Sequence, residues 1–374
     1  MTRPDFITLT TAPERMDLFN SFERYERPEL KTDYRGLLNL SSNELHHPAA
    51  AGRIIAALSR YRVVTAYPYY PETADAVAKT SGLPPASCIL TPGSDAAIRL
   101  VMETFRRCCR HLIIHWPAYD AYELYAHQAG IETVRLAQTA TPSEEYCGRL
   151  LETAFEHAGN AMVVLVNPDG FTGRMVPLAT VVALARDLRK ANAVLVVDEA
   201  YASFAPIDHS TLIRQGADNV VIIRSYSKSL GLASFRIAAT FAAVPLINAM
   251  YHLRPTNPVS GVAMHILREL LEQDEETKAI LSDVRYRREL LATLITSHLP
   301  CSSAYASAAN FVLFELSAHA TRRKLLDSLA AKGIVIKDLS AFGGFETCVR
   351  ITVPDQAGCQ LLEAILSTFG KHRA

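Results

Sequence analysis

Ser225, Ser227 and Lys228, followed by Gly231 and Arg236, put the most reactive chemistry of this chain into its shortest stretch. They come directly after an apolar run, Val220-Val221-Ile222-Ile223, that reads as a buried strand. A lysine amine at a strand's end can form a Schiff base with a carbonyl, and the hydroxyls and guanidinium around it can hold a phosphate. A surface lysine in a serine-rich loop would have the same local sequence. The rest of the chain decides between the two.

Other reactive side chains also stand at the ends of predicted strands. The run Ala193–Val197 delivers Asp198, a carboxylate that is costly to bury unless a cation meets it. Tyr201 follows three residues later, although Asp198-Glu199-Ala200-Tyr201 could also simply begin a helix. Thirty residues separate Asp198 from Lys228, the length of one strand-crossover-strand unit. Upstream, Cys88–Thr91 is a short strand that turns through Pro92-Gly93-Ser94-Asp95 into a helix with Ile98, Val101, Met102 and Phe105 on one side. The amides of Ser94, Asp95 and Ala96 make an anion site at that helix start, or Ser94 and Asp95 are plain N-caps. Leu112–Ile114 leads to Trp116, Pro117 and Tyr119. Met162–Val166 leads to Asn167-Pro168-Asp169-Gly170-Phe171-Thr172-Gly173, before a helix from about Pro177 to Lys190.

Residues 1 to about 35 are polar, with Phe19, Phe22 and Tyr25 at near-helical spacing, and read as an N-terminal arm or short helix. Leu37–Leu40 is a strand entering Ser41-Ser42-Asn43-Glu44, where an Asx-type turn is one reading. Tyr67-Pro68-Tyr69-Tyr70-Pro71 is a rigid aromatic loop, because residues before proline are pushed to extended geometry. The chain breaks at Thr256–Ser260, then runs helically to about Ser297. Strands at Asn310–Phe314, Val335-Ile336 and Val349–Val353 follow, with helices at about 320–332 and 355–369. The expected division is an arm over 1–45, a large domain over 46–258 and a small α/β domain over 259–374. Arg350 lies in the last strand, where a lone arginine is ordinarily a solvated edge residue.

The bulk composition narrows the class. Of 374 residues, 49% are hydrophobic and 20% charged, with 38 Lys+Arg balancing 38 Asp+Glu. Zero net charge gives no electrostatic case for nucleic acid or an anionic membrane. No apolar run approaches the roughly 20 residues that span a bilayer. Seven irregularly spaced cysteines without a Cys-x-x-Cys suggest reduced thiols, and the N-terminus lacks an apolar signal core, so the expected location is the cytoplasm. His46 and His47 are adjacent and cannot share a helix face, so no metal site is expected. No Gly-x-Gly-x-x-Gly follows a strand.

From about residue 38 onward, the order of these features resembles that of the PLP-dependent class I/II aminotransferases of fold type I. Its phrasing is closest to the histidinol-phosphate aminotransferase-like branch. The resemblance implies an α/β fold, with a mostly parallel seven-stranded sheet in a large lobe and a small C-terminal α/β lobe. It also implies pyridoxal 5′-phosphate (PLP) as cofactor, a small-molecule amino acid as substrate, and a homodimer with shared active sites. Lys228 then carries the cofactor and moves the substrate's α-proton. Ser94, Asp95, Ser225, Ser227 and Arg236 hold the phosphate, and Tyr67 reaches the phosphate bound by the partner subunit. Tyr119 stacks on the pyridine, with Trp116 as its rival. Asp198 pairs with the ring nitrogen, Tyr201 donates to the 3′-oxygen, and Asn167 belongs to the same cofactor set. Asn43 lies near the substrate. Arg350, after a flexible Phe342-Gly343-Gly344 loop, clamps the α-carboxylate.

The Asn167 loop departs from the family's Asn-Pro-x-Asn-Pro-Thr-Gly. Gly170 replaces the second asparagine, which normally bonds the 3′-oxygen, and Phe171 replaces the proline. Transamination is the expected reaction. Elimination, cyclisation, decarboxylation or oxidation of an amino acid is the alternative that the departure raises. A protein that binds the cofactor without turnover would not need Lys228, Asp198, Tyr201 and Arg350 together.

Overall fold

A computed structural model of the chain describes residues 34–138, 143–299 and 303–370. The expected N-terminal arm with Phe19, Phe22 and Tyr25 lies outside them. Everything below belongs to the compact unit that begins at Leu38.

Three uninterrupted apolar runs form the centre of the larger sheet: β5 (Ala161–Val166), β6 (Val194–Asp198) and β7 (Val220–Ser225). Parallel strands covered on both faces need such runs, because neither face meets water. The full order is β2 (Cys88–Thr91), β8 (Ala238–Ala242), β7, β6, β5, β3 (His111–Trp116) and β4 (Glu132–Ala137). Only β8 runs against its neighbours, β2 and β7. Alternate residues face opposite layers: Ile113, Val163, Leu195 and Ile222 pack against Leu184 and Leu188, whereas Leu112, Val164, Val196 and Val221 pack with Ile98 and Met102. The register pairs Val166 with Asp198 and Asp198 with Ile223. Asn167, Asp198 and Ser225 therefore emerge side by side at the carboxyl edge, where open α/β sheets bind their ligands.

The second sheet has the order β1 (Leu38–Leu40), β11 (Ile334–Asp338), β12 (Cys348–Thr352), β10 (Phe311–Glu315) and β9 (Ser303–Ala304). The helices Asp274–His298 and Gln356–Gly370 cover it through Leu281, Val284, Leu362 and Leu366. Although β1 precedes the large sheet in sequence, it pairs in parallel with β11 and forms an edge of this second sheet. The helical stretch after the chain break is two helices, Gly261–Glu272 and Asp274–His298, separated at Gln273. Pro177 is the N-cap of the helix Leu178–Lys190 rather than part of its first turn.

Candidate active site

The helix Ser94–Phe105 starts immediately after Gly93, whose φ is 84° and which caps it without a side chain. Ser94 and Asp95 are thus the first helical residues and not N-caps. A Cβ on Gly93 would lie 2.5 Å from Arg236 Nη2, so only glycine lets that guanidinium come so close to the backbone. Arg236 donates to the Ala233 carbonyl at 3.1 Å and to Asp95 Oδ2 at 3.3 Å. Tyr119 donates to Asp95 Oδ1 at 2.6 Å. Ser225 Oγ caps the short helix Tyr226–Ser229 by accepting from Ser227 N at 3.3 Å. A helix start, a guanidinium and two serines in one corner have the chemistry of a phosphate cradle.

Asp198 is 4% exposed. Its Oδ2 accepts from the Tyr122 hydroxyl at 2.8 Å and its Oδ1 from Ala200 N at 2.9 Å, both neutral donors. Burial raises its pKa to about 6. Such a carboxylate is suited to a cationic ligand, since pairing would offset the burial cost.

Three consecutive residues after β1 gather the remaining groups. The Ser41 carbonyl accepts from Arg350 Nη2 at 3.3 Å, the Ser42 carbonyl accepts from Lys228 Nζ at 2.6 Å, and Asn43 Nδ2 donates to Tyr201 Oη at 2.9 Å. Burial lowers Lys228 to about 8, with Arg350 and Arg236 acting in the same direction. Arg350 is itself buried; its Nη1 donates to the Gly170 carbonyl at 2.7 Å, and its Nε has no partner. The guanidinium also stands 4.9 Å above the Phe311 ring. Its hydrogen-bond acceptors are backbone carbonyls, so the charge is satisfied by dipoles that an entering anion can displace. The Asx-type turn expected near Asn43 is not what its side chain makes, since Nδ2 goes to Tyr201 and Oδ1 to Thr352; it is Asn39 whose Oδ1 accepts from Ser41 N at 3.1 Å and Ser41 Oγ at 2.6 Å.

One expected residue directs its side chain elsewhere. Asn167 is fully buried, and its amide is occupied within its own loop. Nδ2 donates to the Val176 carbonyl and to His209 Nε2, each at 2.9 Å, and Oδ1 accepts from Val176 N at 2.8 Å. It ties the two ends of the 167–176 loop together, where the sequence had suggested a cofactor contact. Tyr67, expected at the phosphate bound by the partner subunit, is 86% exposed. Trp116 is taken up at the sheet edge, with the Arg135 guanidinium 4.3 Å over its ring, which leaves Tyr119 as the aromatic beside Asp95.

Sequence reasoning missed Tyr122 and a buried polar network behind Asp198. Glu199 accepts from Arg224 Nε at 2.7 Å and bonds His209 Nδ1 at 2.8 Å, and His209 continues to Asn167. Arg224 also donates to Ser81 Oγ at 2.7 Å. A signal existed: a second carboxylate directly after an apolar strand, and an arginine at the corresponding end of the next one.

The family model for aminotransferase class I and II matches residues 35–365. The chain belongs to this family. A histidinol-phosphate aminotransferase of Colwellia psychrerythraea is 30% identical over 298 residues, covering 77% of this chain and 80% of the relative. One from Haloferax volcanii is 28% identical over 328 residues, covering 87% of each. Among solved structures, the histidinol-phosphate aminotransferase of Sinorhizobium meliloti in complex with PLP has a TM-score of 0.79 at 22% identity, over 100% of this chain and 99% of that one. The L-threonine-O-3-phosphate decarboxylase of Porphyromonas gingivalis has a TM-score of 0.73 at 20% identity, over 90% and 100%. The aminotransferase chain thus has the fold-type-I architecture expected of it, is an enzyme, and has PLP as its cofactor. Its residues fit that group: the Gly93–Arg236 cradle suits a phosphate, Asp198 with only neutral donors suits a protonated pyridine, and Lys228 is an amine at the required strand end. Among the described residues, no cluster of three or more His, Cys, Asp or Glu side chains is placed to hold a metal, and no helix is long and apolar enough to cross a membrane.

Proposed function

We propose that this enzyme exchanges an amino group between an L-amino acid and a 2-keto acid, with Lys228 as its catalytic residue. The observation that carries the reading is the Ser41–Asn43 segment, which ties Lys228, Arg350 and Tyr201 to one short stretch of backbone. In this reading the amides of Ser94 and Asp95, with Ser225, Ser227 and Arg236, hold the cofactor phosphate. Tyr119 covers the ring, Asp198 meets its nitrogen and Tyr201 its 3′-oxygen. When bound, PLP supplies an electron sink for the substrate's α-carbon. Arg350 exchanges the Gly170 and Ser41 carbonyls for the substrate carboxylate through a two-pronged bond that fixes the α-carbon. Lys228, lowered to about 8 by burial, is a base matched to near-neutral pH and moves the proton at that carbon.

The large domain we infer is 46–258 and the small one 259–374, with β1 added to the second sheet. Tyr67 on its exposed loop, with Val63, Val64 and Tyr69 also exposed, supports a homodimer in which Tyr67 reaches the partner's phosphate site. Six described cysteines are free thiols, which supports a cytoplasmic location.

Gly170 favours a second reading, in which the same site eliminates, cyclises, decarboxylates or oxidises an amino acid. A panel of isotopically labelled L-amino acids, incubated with the PLP-loaded enzyme and a set of 2-keto acids, separates the two. Transfer of labelled nitrogen to a keto acid supports transamination. Release of ammonia, carbon dioxide or peroxide without transfer overturns it in favour of the second reading.

A further inference from the structure

Position 170 stands tight against Tyr201. A Cβ on Gly170 would stand 3.0 Å from Tyr201 Cε2 and 3.8 Å from Val166 Cγ1. The tyrosine ring therefore lies close against the loop backbone, and a side chain at 170 would press on it unless the ring gave by a few tenths of an ångström. With glycine at 170 the loop has no side-chain amide to offer the 3′-oxygen, and Tyr201 remains as the expected donor.

Tyr201 has a different amide next to it. Asn43 Nδ2 donates to Tyr201 Oη at 2.9 Å, and both residues are buried, at 2% and 8% exposure. Asn43 is held on several sides. Its φ is 56°, the left-handed region that asparagine tolerates better than most residues. Its N–H donates to Thr352 Oγ1 at 3.0 Å, and Thr352 Oγ1 donates in turn to the Leu40 carbonyl at 2.8 Å. Its carbonyl accepts from Asn310 Nδ2 at 3.0 Å. The side-chain amide thus reaches Tyr201 from a fixed backbone.

The direction of that bond matters. A hydroxyl has one proton, and with the Asn43 amide occupying a lone pair, the Tyr201 proton is left to be given elsewhere. Accepting a hydrogen bond also makes a hydroxyl a stronger donor. We propose that Asn43 is a positioning residue: through Tyr201 it supplies the polarisation of the cofactor's 3′-oxygen that a loop asparagine supplies directly in the family pattern. The proposal rests on the PLP reading of the site. It makes Gly170 one half of an exchange, in which the donor is relocated to the loop after β1.

The test is the absorbance of the PLP-loaded enzyme titrated with pH. A donor on the 3′-oxygen stabilises its anion, so the proton shared with the Lys228 nitrogen leaves more easily; losing the donor raises the midpoint. Asn43→Gly removes the amide and keeps the left-handed backbone available, and is expected to raise the midpoint by about 0.5 to 1 unit, the scale of one hydrogen bond. Asn43→Asp, which would draw the Tyr201 proton to itself, is expected to raise it further. In a Tyr201→Phe background neither change moves the midpoint again, because the route to the cofactor is gone. An unchanged midpoint in both Asn43 variants, or the same shift with and without the Tyr201 hydroxyl, overturns the proposal. If Lys228→Ala has the same spectrum as the parent, the PLP reading itself fails, and that result is distinct from either.

Discussion

Lys228 donates its amine to the Ser42 carbonyl at 2.6 Å, joining the end of β7 in the large sheet to the loop that leaves β1 in the second. The acceptor is a neutral dipole, so it holds the ammonium less firmly than a carboxylate would. Burial consequently dominates and lowers Lys228 from 10.5 to about 8. Only the unprotonated amine attacks a carbonyl. The rate at which cofactor-free enzyme takes up PLP should therefore rise with pH and level off above a midpoint near 8. Stopped-flow absorbance reads this directly. A rate still climbing at about pH 10, as for an ordinary lysine, would contradict the geometry.

Arg350 makes the second prediction. Its guanidinium has carbonyl partners from Gly170 and Ser41 and a buried Nε without one. Arg350→Lys keeps the charge and loses the planar fork that grips a carboxylate in two places. KM for the amino acid should rise on the order of 10- to 100-fold, while the spectrum of the bound cofactor stays as it was. Steady-state kinetics with one competent amino acid is sufficient. A KM within about twofold of the parent would make Arg350 a structural residue only.

The strand ends were legible because strands covered on both faces have to be apolar throughout, which makes Asp198 and Lys228 conspicuous where the runs stop. The Ser94 helix start was legible for the same reason, whereas Arg350, in the middle of β12, stood out only through the family resemblance. The bonds of Asn167 were not legible, because its partners are Val176, nine residues later, and His209, from beyond β6. Neither contact has a local signal. The partnership of Glu199 with Arg224 depends on the register of β6 against β7, in which Asp198 faces Ile223. The pairing of Leu38 with Ile334 joins segments from opposite ends of the chain, and no periodicity within either segment announces it.

That buried network yields a stability prediction. Burial alone would raise Glu199, but Arg224 and His209 outweigh it and hold the carboxyl at about 2, below its ordinary 4.5. Its folded pKa is depressed, so the stabilisation is complete above about pH 4.5 and is lost as pH falls toward 2. Arg224→Met leaves a buried carboxylate without its cation and should destabilise the protein by about 3–5 kcal/mol at neutral pH. Glu199→Gln should cost less, because the amide oxygen still accepts from Arg224 or His209. Urea denaturation of the three proteins orders them; a cost below about 1 kcal/mol for Arg224→Met would mean that water reaches the network.

Asp198 titrates the other way. Burial raises it from 3.8 to about 6 in the cofactor-free protein. Between those values the folded state keeps a proton that the unfolded state has released. Stability of the cofactor-free enzyme should therefore fall as pH rises from about 4 to about 6, and remain at its reduced level above that. A shift of this size is worth on the order of 3 kcal/mol, and less once Tyr122 and the Ala200 amide rearrange. Asp198→Asn removes the titrating group, so the cofactor-free variant should lose this pH dependence and be more stable than the parent at pH 7. The same change removes the anion that meets the pyridine nitrogen, and turnover should drop by roughly 100-fold or more. Thermal melts of the stripped protein across this pH range, with and without PLP, measure both effects. If the stripped parent is equally stable at pH 4 and pH 7, Asp198 is not held protonated by its surroundings, and the site lacks the buried acid that a cationic ring would relieve.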